Sequence, residues 1–351
     1  MQHSYVIFRW QCAFNISSRR LPQNFQKLYS ASLLLSACGE KGVSASKPKF
    51  AKQGKEVEFA AFKEAVSDEN LLGFFSSDDV TKVESFSGKV TATDENIYKA
   101  TLGKKSILEE KEVSVTSLEV QDDIEHRVIK YTEADKGSAI RKSAGYERED
   151  SEDLKYTAYY QLNDFEDKTY FVTASETEKM FGRMDDVSSL NDEEIDEIFQ
   201  SFAPSMTNAF IGSDWLNYVS PLLEYWDTVS EEEKEKMKFF QNDKVFTVTY
   251  ANTTHEEGHN SSDELMYTID RVEEYKIQLD ASKGANFKSK SMRTVKSTIK
   301  IEKDETNYNG STFDAGTVIE EEQNNYFDSA VQVKKLNLKP LDISKYKESA
   351  L

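Results

Sequence analysis

Two histidines stand four residues apart in His255-Glu256-Glu257-Gly258-His259. On a helix, that spacing puts both imidazoles on one face, one turn apart. They could then hold a zinc ion while Glu256 acts as general base toward a metal-bound water, with Glu273 or Glu274 as candidate third ligand. The flanking residues argue against a helix: Ala251 to Asp263 lacks an apolar period and holds Asn252, Gly258, Asn260, Ser261 and Ser262, so a polar hairpin loop is expected there. His255 and His259 are therefore read as loop residues, and a metal site through them as the weaker alternative. After the first 38 residues only one other histidine occurs, His126, and there is no G-x-S-x-G elbow, P-loop, G-x-G-x-x-G or D-x-D-x-D-G string. The sequence points to no catalytic residue and no cofactor.

Cysteine usage and charge say more. Cys12 and Cys38 are the only cysteines, so no disulfide, thiolate metal site or iron–sulfur cluster can form within the body that follows. The first 39 residues contain Arg9, Arg19, Arg20 and Lys27 and no acid, whereas all 63 Asp and Glu lie beyond them and bring the net charge to −19. Such a body is repelled by phosphate backbones and anionic headgroups, which excludes general nucleic-acid binding. Hydrophobic residues at 38% and aromatics at 12% are ample for a packed core.

The stretch Leu28 to Ala37 is apolar to small, too short to span a bilayer and within the length of a signal-peptide core. Its end, Leu35-Ser36-Ala37-Cys38 followed by Gly39, resembles the lipobox of bacterial lipoproteins. The resemblance implies cleavage before Cys38 and a diacylglyceryl group on its thiol. Two acyl chains hold a protein stably on a membrane, where one does so only marginally. An acid-free leader bearing Arg and Ser also resembles a mitochondrial transit peptide. On the lipoprotein reading, residues 1–37 form an export signal, 38–56 a flexible tether, and 57–345 a single β-rich domain on the extracytoplasmic side of the cell membrane.

Phe59, Phe62 and Val66 share one helical face and predict a helix from about Glu58 to Val66, broken at Ser67 and Asp68. Alternation of period two then takes over, with Val113 and Val115 in one run and Leu154, Tyr156, Ala158, Tyr160 and Leu162 in another, and no proline occurs between Pro48 and Pro204. Asp122-Asp123, Asp135-Lys136-Gly137 and Asn163-Asp164 are expected turns. Helices are expected over about 190–240. Ile195, Ile198, Phe199 and Phe202 form one stripe, Trp215, Val219, Leu222, Leu223 and Trp226 a second, and a capping box at Ser230 and Glu233 opens a third helix through Phe240. Alternation returns at Phe246, Val248 and Tyr250, at Tyr275, Ile277 and Leu279, at Val295, Ser297, Ile299 and Ile301, and at Val331 and Val333. Two sets of strands flanking a helical insert predict an α+β fold with a curved, half-barrel-like antiparallel sheet.

This element order resembles the lipoprotein carriers typified by LolA and the mycobacterial LppX group, in which a curved sheet and covering helices enclose an apolar cavity. The resemblance implies a non-enzymatic surface lipoprotein that binds a lipid or other apolar or amphipathic ligand, with Trp215, Trp226, Tyr156 and Tyr160 as candidate ligand-facing aromatics. An adhesin or envelope scaffold with a filled core is the alternative from the interaction class, and a zinc metallopeptidase through His255 and His259 the alternative from the enzyme class.

Overall fold

A computed structural model describes residues 46–66, 86–123, 126–143, 146–200, 212, 214–283, 286–332 and 336–349. The leader, Cys12, Cys38, Ser67, Asp68, Phe202, Pro204 and Val333 lie outside the described residues. In chain order the elements are β1 (Lys55–Val57), α1 (Phe59–Val66), β2 (Phe86–Leu102), β3 (Lys105–Asp123), β4 (His126–Ser143), β5 (Tyr146–Phe165), β6 (Lys168–Ser175), β7 (Met180–Asp186) and α2 (Asp192–Gln200). A π-helical turn (Trp215–Val219) runs into α3 (Ser220–Tyr225), and α4 (Glu231–Glu235) follows. The chain continues through β8 (Met237–Asn242), β9 (Val245–His259), β10 (Leu265–Lys283), β11 (Asn286–Ile301), β12 (Thr306–Tyr308), β13 (Ser311–Phe313), β14 (Thr317–Gln332) and β15 (Lys347–Glu348).

Thirteen of these strands form one sheet, ordered β1-β8-β9-β10-β11-β14-β2-β3-β4-β5-β6-β7-β15, curved but not closed into a barrel. Strand content far exceeds helix content, so the helical part of the α+β expectation holds only loosely. Two meanders, β2 to β7 and β8 to β14, meet where β14 pairs antiparallel with β2 from Thr317–Leu102 to Gln332–Ser87. Long proline-free strands make that seam possible, since every residue can donate to the ladder.

Alternation assigns each strand residue to one of two faces. On one face α1 sets Phe62 against Phe239 and Phe246, Tyr218 meets Tyr275, and Phe199 of α2 meets Tyr160 and Phe171. The opposite face carries two extended straps. Residues 46–54 cross it toward β1, with the Ala51 N–H donating to Gln278 Oε1 at 2.7 Å. Residues 336–346 cross the other half toward β15, with the Leu338 and Leu341 N–H groups donating to Gln121 Oε1 and Gln161 Oε1 at 2.8 and 2.6 Å. Among the described residues no helix is long and apolar enough to cross a membrane.

Four local expectations need correcting; the first is Asp122-Asp123, which is no turn but the end of β3, paired with Arg127 and His126. Asp135-Lys136-Gly137 is no turn but the middle of β4, paired on both sides with Ser114, Val113 and Glu112 and with Leu154, Asp153 and Glu152. Asn163 and Asp164 likewise remain in β5, and the turn begins two residues after Asp164, at Glu166, whose φ is 54°. The helix opened at Ser230, whose Oγ does accept from the Glu233 N–H at 3.2 Å, stops at Glu235. Phe239 and Phe240 instead belong to β8, where pairing with β9 turns Phe239 toward the helices and leaves it 5% exposed.

Candidate functional site

Residues directly opposite one another on neighbouring strands share a face, so the sheet can be followed in rows that run across the strands. On the helix-bearing face one row reads Ile269, Ile299, Ile319, Ala100 and Leu108. It is apolar and packs with Phe313 under the β12–β13 hairpin. Five rows further along, Leu279, Ser289, Ser329, Val90 and Leu118 lie in the zone next to the helices. Between these zones the pattern inverts. The next row after the isoleucines is Arg271, Ser297, Glu321, Tyr98 and Glu110; then come Glu273, Val295, Gln323, Asn96, Glu112 and Gly137; then Tyr275, Arg293, Asn325, Asp94, Ser114 and Asp135.

The first two of these rows, with Arg293 from the third, line an open groove of about 800 Å³ that crosses six strands, from Arg271 on β10 to Gly137 on β4. Arg293 donates to Glu273 Oε1 from both Nε and Nη2 at 2.7 Å. Burial alone would pull the guanidinium down, but Glu273, Tyr218 and Asp214 together outweigh it and shift Arg293 up. Arg271 reaches only Ser297 Oγ, at 3.4 Å, and has no carboxylate partner within ion-pair distance among the described residues. Glu321 accepts from Asn309 Nδ2 at 3.2 Å. Burial raises its carboxyl above the usual range, and burial with the neighbouring Glu321 raises the Tyr98 phenol. Tyr308, pushed up to about 12 by burial and by Glu321, stands over the same end. At the helix end Asn325 donates to Asp94 Oδ1 and Ser291 donates to Asp214, whose carboxyl is raised by burial. Half-buried charges cost desolvation energy unless paired, so this belt cannot be a filled apolar core.

The aromatic residues singled out from the sequence sit elsewhere. Trp215 is 4% exposed, and Tyr160 is packed at 2% exposure with its ring stacked on Phe171 at 5.0 Å. Trp226 stacks on Phe59 at 4.0 Å, and half-buried Tyr156 pairs across from Glu133 on the helix-bearing face. None of the four lines the groove.

The two histidines are also separated. His255-Glu256-Glu257-Gly258-His259 is neither helix nor loop; it is the last third of β9, and the turn comes after it, with Asn260 Oδ1 accepting from the N–H groups of Ser262 and Glu264. Strand pairing with β10 extends the segment, so residues four apart lie about 13 Å from each other. His255 Nδ1 meets Asp270 Oδ1 at 2.7 Å on the strap-bearing face, and His259 has Glu257 at 3.7 Å. Among the described residues no group of three or more His, Cys, Asp or Glu side chains converges as a metal site. Gly258 has its own structural reason, because the Tyr267 ring lies where a side chain would start.

Sequence reasoning missed the groove because each strand contributes only two or three inward polar residues to it. The signal was present as a break in apolar alternation, in Ile269-x-Arg271-x-Glu273 and in Ala100-x-Tyr98-x-Asn96 read backward. No protein-family model and no curated protein matches the chain.

Proposed function

We propose that this is a non-enzymatic, extracytoplasmic binding protein, tethered to a membrane by a lipid on Cys38, whose groove takes the polar part of an amphipathic ligand. The tether rests on Leu35-Ser36-Ala37-Cys38 behind a basic, acid-free leader. The binding half rests on one observation: three polar rows interrupt the apolar rows on the helix-bearing face. Charged side chains held half-buried in a concavity are a stability cost that packing alone does not explain. A wholly apolar cargo would find little apolar wall there beyond Val295. The filled zones around Trp215 and Tyr160 favour the second reading, an envelope scaffold on the same anchor.

Intact mass of the full chain extracted from membranes, beside Cys38→Ala, tests the tether. The parent should carry diacylglyceryl mass and the variant should stay uncleaved; equal membrane attachment of both would refute it. Mass spectrometry of co-purified small molecules, beside Asn96→Trp to fill the groove, tests the binding. A ligand present in the parent and lost in the variant supports the binding protein, and an empty parent supports the scaffold.

A further inference from the structure

Resting on the groove as the ligand site, we infer that what it recognises is a neutral oligosaccharide, either free or carried as the headgroup of a glycolipid. The floor lies in mid-sheet, where the backbone N–H and C=O groups of β10, β11, β14, β2 and β3 are already taken by their ladders. A peptide binding by strand addition needs a sheet edge, and the edges here are β1 and β15. Recognition in the groove therefore falls to side chains.

Those side chains are amides, carboxylates, two guanidiniums and one phenol ring. Asn96 and Gln323 face each other across β2 and β14, both exposed, and each offers an N–H donor pair and a carbonyl acceptor. Glu112 lies beside Asn96 and Tyr98 one row away, while Arg271 uses one long hydrogen bond of its five donors. Hydroxyl groups both donate and accept, so adjacent sugar hydroxyls can satisfy amide, carboxylate and guanidinium together, and half-buried Tyr98 adds a phenol at one end of the lining. Peptide side chains would need apolar pockets, and the floor offers little beyond Val295.

Charge selects among glycans. Two arginines, Arg271 and Arg293, face four glutamates, Glu110, Glu112, Glu273 and Glu321, in a chain of net charge −19. Phosphate, sulfate or uronate polymers would be repelled from such a floor. Length follows from strand spacing: Arg271 and Glu110 are four strands apart, about 19 Å, which suits a chain of several rings lying across the strands.

The test is a screen of the full chain against immobilised neutral and anionic oligosaccharides, with glycolipid vesicles as a second arm and calorimetry on the hits. The expected result is binding of at least one neutral glycan longer than a disaccharide and none of the anionic ones. The double variant Asn96→Ala/Gln323→Ala should weaken it about tenfold or more, roughly 1.4 kcal/mol, with an unchanged melting temperature. Binding to soluble glycan identifies the free sugar as ligand, and binding to vesicles alone identifies the headgroup. Absence of both at millimolar concentration, or equal binding by the double variant, overturns the inference. A sugar-free ligand that co-purifies with the parent and is lost from the double variant overturns it while leaving the groove as binding site; no ligand of any kind overturns both.

Discussion

Gly258 shows how a residue can look catalytic in sequence and be structural in place. Its position in the H-E-E-G-H string is set by Tyr267, whose Cζ lies 2.3 Å from where a Cβ would stand. Tyr267 in turn meets Tyr308 edge-on at 5.4 Å, so the ring cannot move away without disturbing the β12–β13 hairpin. Gly258→Ala should therefore cost about 1–3 kcal/mol in urea unfolding, with Tyr267→Ala recovering part of it in the double variant. Additive losses would show that the ring is not the cause. Asp214 makes a second prediction, in pH. Its carboxyl is raised by burial, which the bond from Ser291 only partly offsets, so the folded state holds the proton more tightly than the unfolded chain does. The sign follows from linkage: this contribution is fully present below the unfolded carboxylate range, near 3.9, and is lost as pH rises through the folded value. Asp214→Asn keeps the shape without the charge. Its melting temperature should equal or exceed the parent's at neutral pH, and the gap should close in acid; a variant less stable at every pH would contradict this.

At the scale of elements, the two straps hold the least obvious part of the fold. Gln161 is fully buried, and besides accepting from Leu341 N–H its Nε2 donates to Leu341 O at 2.9 Å and to Asn163 Oδ1 at 2.7 Å. Gln278 does the same for the first strap, with Nε2 to Ala51 O at 3.2 Å and to Thr247 Oγ1 at 2.9 Å. Each glutamine imitates a missing strand by pairing with a strap's backbone. The second strap ends on β15, where Arg183 meets Glu348 through Nε and Nη2 at 3.0 and 3.1 Å. Removing residues 336–351 should leave Gln121 and Gln161 without these partners, at about 1–3 kcal/mol each. It should also bare β7 as an edge, so the truncated chain should self-associate with concentration. Denaturation and sedimentation check both; a monomer of parental stability would mean that the strap is only draped on the sheet. None of this was legible from alternation. A buried Gln reads as an outward polar position, and its partner lies 180 residues away in the case of Gln161. What could be read, such as the α1 stripe and the Leu154-to-Leu162 run, depended on neighbours in sequence.

Across the whole molecule, alternation established that strands flank helices but could not choose each strand's partner, so two separate β domains stood as an alternative to the single domain expected over 57–345. The structure joins the halves at β14 and β2, two strands that begin more than 200 residues apart in sequence. The helical stretch between β7 and β8 joins the two ends of the same sheet, and its side chains pack on both halves, Phe199 on β5 and β6 and Tyr218 on β10. Opening the seam would expose Ile319 and Ala100 in one zone and Ser329 and Val90 in the other, all buried. Each meander would lose those buried partners, so neither should survive alone. Urea unfolding should accordingly be one transition, with tryptophan fluorescence, reporting chiefly on Trp215 and Trp226, coincident with far-ultraviolet circular dichroism, which reports on the strands. Folding should be slow, because the seam closes a loop of most of the chain before it is stabilised. Separate midpoints for the two probes would mean that the meanders unfold independently and that the β14–β2 seam is weaker than its length implies.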